Sequence, residues 1–195
     1  MAGDHNNLLK ADEAASNTAA DRIIGKRYRV IRLLGKGGMG AVYEAENTWT
    51  KRRVAVKVMS TTISNSEPYV KRFMQEAQTA AQLSHPNIVD VLDMGQDEAT
   101  SEIFLVQELL NGHDLGEHLD AAGRMPVFQA LDVIMPVMDA LVVAHARGVV
   151  HRDLKPDNIF LAETPRGVVP TLIDFGIAKV LADEDALQRT GTGML

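Results

Sequence analysis

The residues most able to do chemistry lie in residues 151–158, which read His-Arg-Asp-Leu-Lys-Pro-Asp-Asn. This stretch supplies a carboxylate that can accept a proton (Asp153), an ammonium (Lys155) and an amide oxygen that can bind a metal (Asn158). A second carboxylate follows at Asp174, which begins an Asp-Phe-Gly sequence. Mg²⁺ prefers hard oxygen ligands from one or two side chains together with substrate phosphates. The residue types therefore indicate a reaction in which a metal-bound phosphate is delivered to Asp153.

An isolated Asp-Asn loop would mean little, because both residue types are common in turns. Here the order His-Arg-Asp, then Asn, then Asp-Phe-Gly resembles the signature set of the protein kinases. The resemblance implies that Asp153 orients a substrate hydroxyl and accepts its proton. It also implies that Asn158 and Asp174 hold Mg²⁺, while Lys155 approaches the γ-phosphate of ATP. Lys155 is the residue that the Ser/Thr branch of the family carries at this position, and tyrosine kinases differ there.

A glycine-rich stretch near the start of the chain lies between two predicted strands. Residues 28–34 and 41–45 have strand patterns, and residues 35–40 between them read Gly-Lys-Gly-Gly-Met-Gly. Glycines let backbone amides approach a polyphosphate closely, because no Cβ stands in the way. The same glycine spacing fits a dinucleotide fingerprint, but that fold needs a helix after the third glycine. Strand, glycines and strand are instead similar to the loop that covers ATP in protein kinases.

One lysine, Lys57, lies within the mostly apolar predicted strand 54–58. A lysine in a strand core is costly unless its charge is paired, although an edge lysine that reaches solvent is the simpler alternative. The run resembles the third kinase strand, whose lysine contacts the α- and β-phosphates and pairs with a helix glutamate. A helix is predicted from near Ser66 to Leu83, and Glu76 borders its inner face. Glu76 is therefore the expected partner of Lys57.

Residues 107–112 look like the kinase hinge, where backbone groups hydrogen-bond the adenine edge. Gln107 departs from the family, which usually has a bulky apolar residue at this position. The resemblance implies an ATP site in which each member contacts the nucleotide. Its members are Leu34, Gly35, Lys36, Gly37, Gly38, Met39, Gly40, Val42, Ala55, Lys57, Glu108 and Leu110.

The fold class that follows is α+β, with the two-lobe architecture of a protein kinase. We expect a five-stranded antiparallel sheet with one helix in the N-terminal lobe, and a partial, mainly helical C-terminal lobe. The predicted domains are a mobile tail at 1–24, the N-terminal lobe at 25–110 and the partial C-terminal lobe at 111–195. Strands four and five are predicted at 88–92 and 103–106, helices at 115–123 and 128–147, and a strand pair carrying the metal ligands at 159–161 and 171–173.

Composition is ordinary for a globular protein, with 46% hydrophobic and 24% charged residues among 195. The net charge of −6 gives no sign of a nucleic-acid footprint, and the absence of cysteine excludes disulfides and thiolate zinc sites. The apolar region 127–150 contains Asp132 and Asp139, which are costly in lipid, so we expect no membrane segment. A cytoplasmic location is expected. The expected partners are ATP and protein substrates bearing Ser or Thr, and self-association is a further expectation.

The sequence ends within what would be the activation segment of a kinase, so helix 128–147 should expose an apolar surface that further helices would normally cover. In the family, an arginine at the position of Arg152 binds a phosphorylated threonine of that segment. Thr190 and Thr192 are the candidate acceptors, although threonines without any role are an alternative. The main interpretation is a Ser/Thr protein kinase that autophosphorylates. The alternative is an ATP-binding, catalytically incomplete kinase fragment that acts as an interaction module.

Overall fold

The computed structural model describes residues 22–38, 40–60, 64 and 67–175, except for the side chains of Pro68, Tyr69, Arg72 and Glu76. The chain divides into two compact units. The first unit comprises Met1–Val70 and Leu92–Leu109, and the second comprises Lys71–Val91 and Leu110–Leu195. Each unit is described separately below.

The first unit is built on a six-stranded sheet in which β1 to β4 and β6 pair antiparallel, in the order β1-β2-β3-β4-β6-β5. All but the first residue of β5 belongs to this unit. The strands are β1 Ile23–Ile24, β2 Tyr28–Gly37, β3 Gly40–Asn47, β4 Arg53–Met59, β5 Val91–Gln96 and β6 Ile103–Glu108.

One face of this sheet forms the core of the first unit. Val54, Val56 and Val58 alternate along β4 and are almost completely buried, as the two-residue period of a strand requires when one face is covered. They pack in a cluster with Phe104 and Val106 of β6. Burial of each such side chain stabilises the fold by about 1.5–3 kcal/mol.

The second unit contains helices together with a small antiparallel sheet in the order β7-β8-β9. A 3₁₀ turn at Pro156–Asn158 leads directly into β8. The elements are α1 Glu67–Ala80, whose first four residues belong to the first unit, β7 Gly112–Asp114, α2 Leu115–Ala122, α3 Val127–Ala146, β8 Ile159–Thr164 and β9 Gly167–Leu172.

Helix α3 is buried on one side only, although its own residues are apolar around much of its circumference. Its buried residues recur at helical spacing, and the helix packs against β9. The other side is exposed, including 81% of Phe128 and 63% of Val142, which confirms the expected apolar surface. By length and composition alone, α3 could also cross a membrane. Its buried residues are Val133, Val137, Ala140, Leu141 and Ala144.

Two strand predictions need correction. The fourth predicted strand, residues 88–92, is displaced, because β5 begins only at Val91. The backbone of the preceding residues pairs with β9 instead: Leu172 N–H donates to Asn87 O at 2.8 Å, and Val89 N–H donates to Leu172 O at 3.0 Å. A long-range pairing therefore removes this segment from the large sheet.

The N-terminal tail is also shorter than predicted, because Ile23 and Ile24 form β1 and pair with β2. Ile24 is buried among the sheet residues, but two residues are too few to show a strand period in the sequence. The rest of the predicted tail, up to residue 21, lies outside the described residues. Helix α1 ends at Ala80 rather than near Leu83, and its predicted cap, Ser66, also lies outside them.

Gly40 should be essential for the stability of the first unit. Its φ is +146°, and a Cβ there would lie 2.0 Å from Val58 O. We therefore expect Gly40→Ala to lower the free energy of unfolding by at least about 1–3 kcal/mol, measured by urea denaturation. Gly37→Ala is the matched control, because nothing lies within 4 Å of its Cβ position. Equal stability of the two variants would contradict this account.

Candidate active site

The β8–β9 hairpin brings the two predicted metal ligands together. Ile159 pairs with Leu172 in the antiparallel register, so Asn158 immediately precedes one strand and Asp174 closely follows the other. Antiparallel pairing places these two positions at the same end of the hairpin. A backbone bond from Ile173 N–H to Asn158 O, 3.0 Å long, extends the pairing beyond the strands. The register therefore holds the neighbourhood of both ligands together.

Asn158 also connects this end of the hairpin to Asp153. Its Nδ2 donates to Asp153 O at 2.7 Å and to Asp153 Oδ2 at 3.2 Å, and the side chain is buried. Because the amide nitrogen is used for these bonds, the amide oxygen is the atom suited to a metal. An amide oxygen and the carboxylate of Asp174 fit the hard-oxygen preference of Mg²⁺. The residues present therefore fit a magnesium ion.

His151 is buried next to these residues, with only 2% of its surface exposed. Its Nε2 donates to Ile173 O at 3.0 Å, and its ring lies 4.8 Å from that of Phe175. These contacts connect His151, the first of residues 151–158, to the residues on either side of Asp174. Burial lowers the pKa of the His151 imidazole below its ordinary value, because a charged ring loses its hydration there. The one sequence feature that could have indicated the burial of His151 is that it directly follows the apolar pair Val149-Val150.

Two residues of this site have a strained backbone conformation. Arg152 has a φ of +59° and Asp174 a φ of +53°, in the left-handed region that non-glycine residues rarely adopt. Such conformations cost about 1–3 kcal/mol each, and they persist only where surrounding contacts enforce them. The hydrogen bonds of His151 and Asn158 fix the backbone of Ile173 and Asp153, which are direct neighbours of these two strained residues.

Lys155 has a partner that sequence reasoning missed. Its Nζ lies 3.0 Å from Asp157 Oδ2. The hydrogen bond and the charge of Asp157 raise the pKa of Lys155, so the ammonium stays charged. Asp153, Lys155, Asn158 and Asp174 thus all lie in the second unit. The presence of Asp157 two residues after the lysine was visible in the sequence, but an exposed turn does not reveal which side chains meet.

The nucleotide residues predicted around Lys57 lie in the first unit. Lys57 pairs directly with Val42 of β3, so both side chains point to the same face of the sheet. Ala55, two residues earlier on β4, shares that face. The intervening valines face the core, and Lys57 itself is half-buried. The pleat of β4 therefore separates the core side from the side that carries Lys57, which is the predicted ligand-facing side.

The glycine-rich stretch forms the hairpin between β2 and β3, and it closes with Gly37 opposite Gly40. Gly35, Gly37 and Gly38 have open space where a Cβ would lie, so their lack of side chains serves no internal packing. Leu34 lies at an irregularity in the β2 register and is 40% exposed. Lys36 is also exposed. This surface is open to a ligand.

Several predicted site residues cannot be tested on these contacts. Glu108 ends β6 in the first unit, whereas Leu110 belongs to the second. Glu76 lies in α1, but its side chain is outside the described part of the structure, so its pairing with Lys57 stays a prediction. Three further predicted residues lie outside the described part of the chain: Met39, Thr190 and Thr192.

The sequence pattern of the family described as "Protein kinase domain" matches residues 28–193. This chain therefore belongs to the protein kinase domain family. Among solved structures, the chain is similar to the kinase domain of PknI from Mycobacterium tuberculosis, with a TM-score of 0.73 and 31% identity. That match covers 82% of this chain and 63% of the PknI chain.

Curated relatives are bacterial proteins named as serine/threonine-protein kinases. The chain is 45% identical to PknA of Mycobacterium tuberculosis over 172 residues, which cover 87% of this chain and 38% of PknA. It is 38% identical over 172 residues to the probable kinase PknB of Lactococcus lactis, covering 88% of this chain and 26% of PknB. The chain thus spans well under half of the length of these relatives.

The buried neutral His151 should make stability depend on pH. Because its folded pKa lies below the ordinary value of 6.5, the unfolded chain binds more protons than the folded chain as pH falls below 6.5. The free energy of unfolding should therefore decrease in that range, by at most about 1.4 kcal/mol per pH unit for one proton. His151→Gln, which retains a donor for Ile173 O, should have a shallower dependence in urea titrations from pH 7.5 to 5.

The exposed histidine His145 provides the control for this titration. His145→Gln should retain the pH dependence of the unsubstituted chain. If His151→Gln retained the full dependence as well, burial of the His151 ring would not be its cause.

Proposed function

We propose that this chain is the catalytic part of a serine/threonine protein kinase, which transfers the γ-phosphate of ATP to Ser and Thr hydroxyls of proteins. The observation that supports this most directly is the arrangement at the end of the β8–β9 hairpin. There Asn158 bonds Asp153 at 2.7 Å, and its backbone oxygen accepts from the residue preceding Asp174 at 3.0 Å. The proposed proton acceptor and one proposed metal ligand are thus in direct contact, and the second proposed ligand follows a residue bonded to the first.

In the proposed reaction, the substrate hydroxyl oxygen attacks the γ-phosphorus and the bond to the β,γ-bridging oxygen breaks, so ADP leaves. Asp153 would orient the hydroxyl and accept its proton. Groups of this kind contribute about 10²–10⁴-fold to a rate. When bound by Asn158 and Asp174, Mg²⁺ supplies charge neutralisation for the phosphates. Phosphoryl transfer depends on such positioning and neutralisation more than on covalent chemistry by the protein.

Lys155 would neutralise charge on the γ-phosphate. Its pairing with Asp157 supports this role, because it keeps the ammonium charged and limits the positions that a long side chain can adopt. Lys57 would hold the α- and β-phosphates from the ligand-facing side of β4, with Glu76 as its partner. The roles of Lys57 and Glu76 rest on motif position, and that of Lys155 rests also on its contact with Asp157.

The nucleotide itself would lie against the ligand-facing side of the large sheet. The open space beside Gly35, Gly37 and Gly38 supports close approach of a polyphosphate to the backbone. Leu34, Lys36, Met39, Val42 and Ala55 would complete the surroundings of the ATP, and backbone groups of Glu108 and Leu110 would bond the adenine edge.

Lys155 and the names of the relatives support Ser and Thr as the acceptor residues. The protein substrates would include the chain itself, at Thr190 or Thr192, with Arg152 binding the added phosphate. Phosphopeptide mass spectrometry after incubation with MgATP tests this assignment. Phosphate only at other positions would contradict it.

We infer a cytoplasmic location, because ATP is available there and the composition lacks cysteine. The acidic net charge of −6 argues against a nucleic-acid partner. Self-association stays a prediction, and sedimentation velocity of the 195-residue chain would test it.

Two conservative substitutions should separate proton transfer from metal binding. Asp153→Asn keeps an oxygen that can accept from Asn158, so MgATP binding should be nearly unchanged while phosphate transfer falls by about 10²–10⁴-fold. Asp174→Asn should instead remove most of the Mg²⁺ dependence of ATP binding, because it replaces a charged ligand with a neutral one. Calorimetric titration measures the binding, and labelled-phosphate transfer to a generic protein substrate measures the turnover.

Unchanged turnover in Asp153→Asn would reject its role as the proton acceptor. MgATP binding by the unsubstituted chain without any transfer would instead favour the alternative function, an ATP-binding interaction module. Absence of MgATP binding would reject both functions for this chain.

The glycine-rich hairpin should affect nucleotide affinity independently of stability. Gly37→Ala adds a methyl group where the structure has open space, so stability should stay within about 0.5 kcal/mol. If phosphates occupy that space, ATP affinity should fall roughly tenfold, or about 1.4 kcal/mol. Fluorescence competition with a labelled nucleotide measures this loss. An unchanged affinity would show that these glycines do not approach the phosphates.

A further inference from the structure

Two histidines outside the proposed active-site residues lie against each other in the second unit. His113 belongs to β7 and His118 to α2, and their rings meet edge to edge with centroids 5.5 Å apart and planes at an angle of 15°. His113 Nε2 lies 3.3 Å from His118 Nδ1. Both residues are half-buried, so solvent and ions can reach the pair.

The backbone holds the two histidines in place. His113 pairs with Leu161 in the sheet. Asp114 follows it and caps α2, because its Oδ1 accepts from Glu117 N–H at 2.8 Å. Gly112 allows β7 to approach β8 closely, since a Cβ there would lie 2.2 Å from Leu161 O. Strand and helix are thus connected rigidly through one capped residue.

The contact between the rings depends on a single proton. One of the two facing nitrogens must carry hydrogen and the other must offer a lone pair, because a neutral imidazole has one donor and one acceptor. A neutral imidazole nitrogen is also a common ligand of Zn²⁺. Two nitrogens each about 2.0–2.1 Å from a tetrahedral Zn²⁺ lie roughly 3.3–3.4 Å from each other. The observed separation of 3.3 Å therefore matches that of two cis zinc ligands.

We propose that His113 Nε2 and His118 Nδ1 form a binding site for a borderline divalent transition metal such as Zn²⁺. The metal binds in place of the hydrogen bond between the rings. The histidine that donated its hydrogen changes tautomer, because that proton moves to its other ring nitrogen, so both rings bind as neutral imidazoles and water completes the coordination. The metal lies off the line that joins the two nitrogens, which a rotation of the rings permits. Among the described residues, no cluster of three His, Cys, Asp or Glu side chains adds a further protein ligand. The site is therefore a two-imidazole chelate, distinct from the oxygen site proposed for Mg²⁺.

Metal binding at this pair joins the strand to the helix. A ligand that binds only the folded chain stabilises it, and here it fixes β7 relative to α2. Imidazole ligands favour zinc, copper and nickel, whereas Mg²⁺ prefers oxygen. The site should therefore discriminate between the two kinds of cation, and it does not depend on kinase activity.

Zinc titration of the 195-residue chain tests the site. In a non-chelating buffer with excess Mg²⁺, calorimetry should show one Zn²⁺ bound per chain and a raised melting temperature. His113→Gln places an amide near Nε2, and His118→Asn places one near Nδ1, so each variant retains a polar group there. Loss of an outer-shell partner alone typically costs about 10–100-fold in affinity, so either variant should bind Zn²⁺ at least about tenfold more weakly.

His145→Gln is the matched control, because it removes an exposed histidine on α3 and should leave zinc affinity unchanged. The proposal is overturned if the unsubstituted chain binds no zinc, or if both pair variants bind it as tightly as that chain. Equal weakening by His145→Gln would also overturn it. Should one pair variant fail to fold, the other, on a different element, gives the same decision.

Discussion

The site depends on the antiparallel register of one hairpin. Ile159 opposite Leu172 brings the residue before β8 to the same end as the residues after β9. A slip of one position would turn every side chain of one strand to the opposite face, and it would break the bond from Ile173 N–H to Asn158 O. Such a slip would expose buried side chains of β8 and β9, which include Ile159, Leu161 and Leu172.

Hydrogen bonds at the end of this hairpin form a polar network beside strained backbone. His151 bonds Ile173 O, and Asn158 bonds Asp153. Arg152 and Asp174, which have positive φ, each lie next to a residue bonded in this network. Buried polar groups are costly when unpaired, so the bonds of His151 and Asn158 stabilise the fold while they position the candidate catalytic residues. Stability and chemistry thus share the same side chains here.

Prediction from the sequence succeeded where a short window carried the signal. The mostly apolar run at residues 54–58 predicts a strand, and the structure confirms it as part of β4. The strand predicted at residues 88–92 begins only at Val91, because the backbone of Asn87 and Val89 bonds Leu172, a partner far along the chain. Two-residue β1 was missed because so short a strand has no measurable period. Neither the partner of Lys155 nor the contact between His113 and His118 follows from their spacing.

By itself, the sequence determined the family, because the glycine-rich stretch, residues 151–158 and the Asp-Phe-Gly sequence occur in it in the order of the protein kinases. It also determined that the glycines lie between two strands, that Lys57 lies within a strand and that Asp174 follows one. Only the tertiary structure decided that Asn158 bonds Asp153, that His151 is buried beneath them, and that His113 meets His118. The physical reason is that these contacts depend on register and packing between segments distant along the chain, whereas local patterns encode only each segment's own conformation.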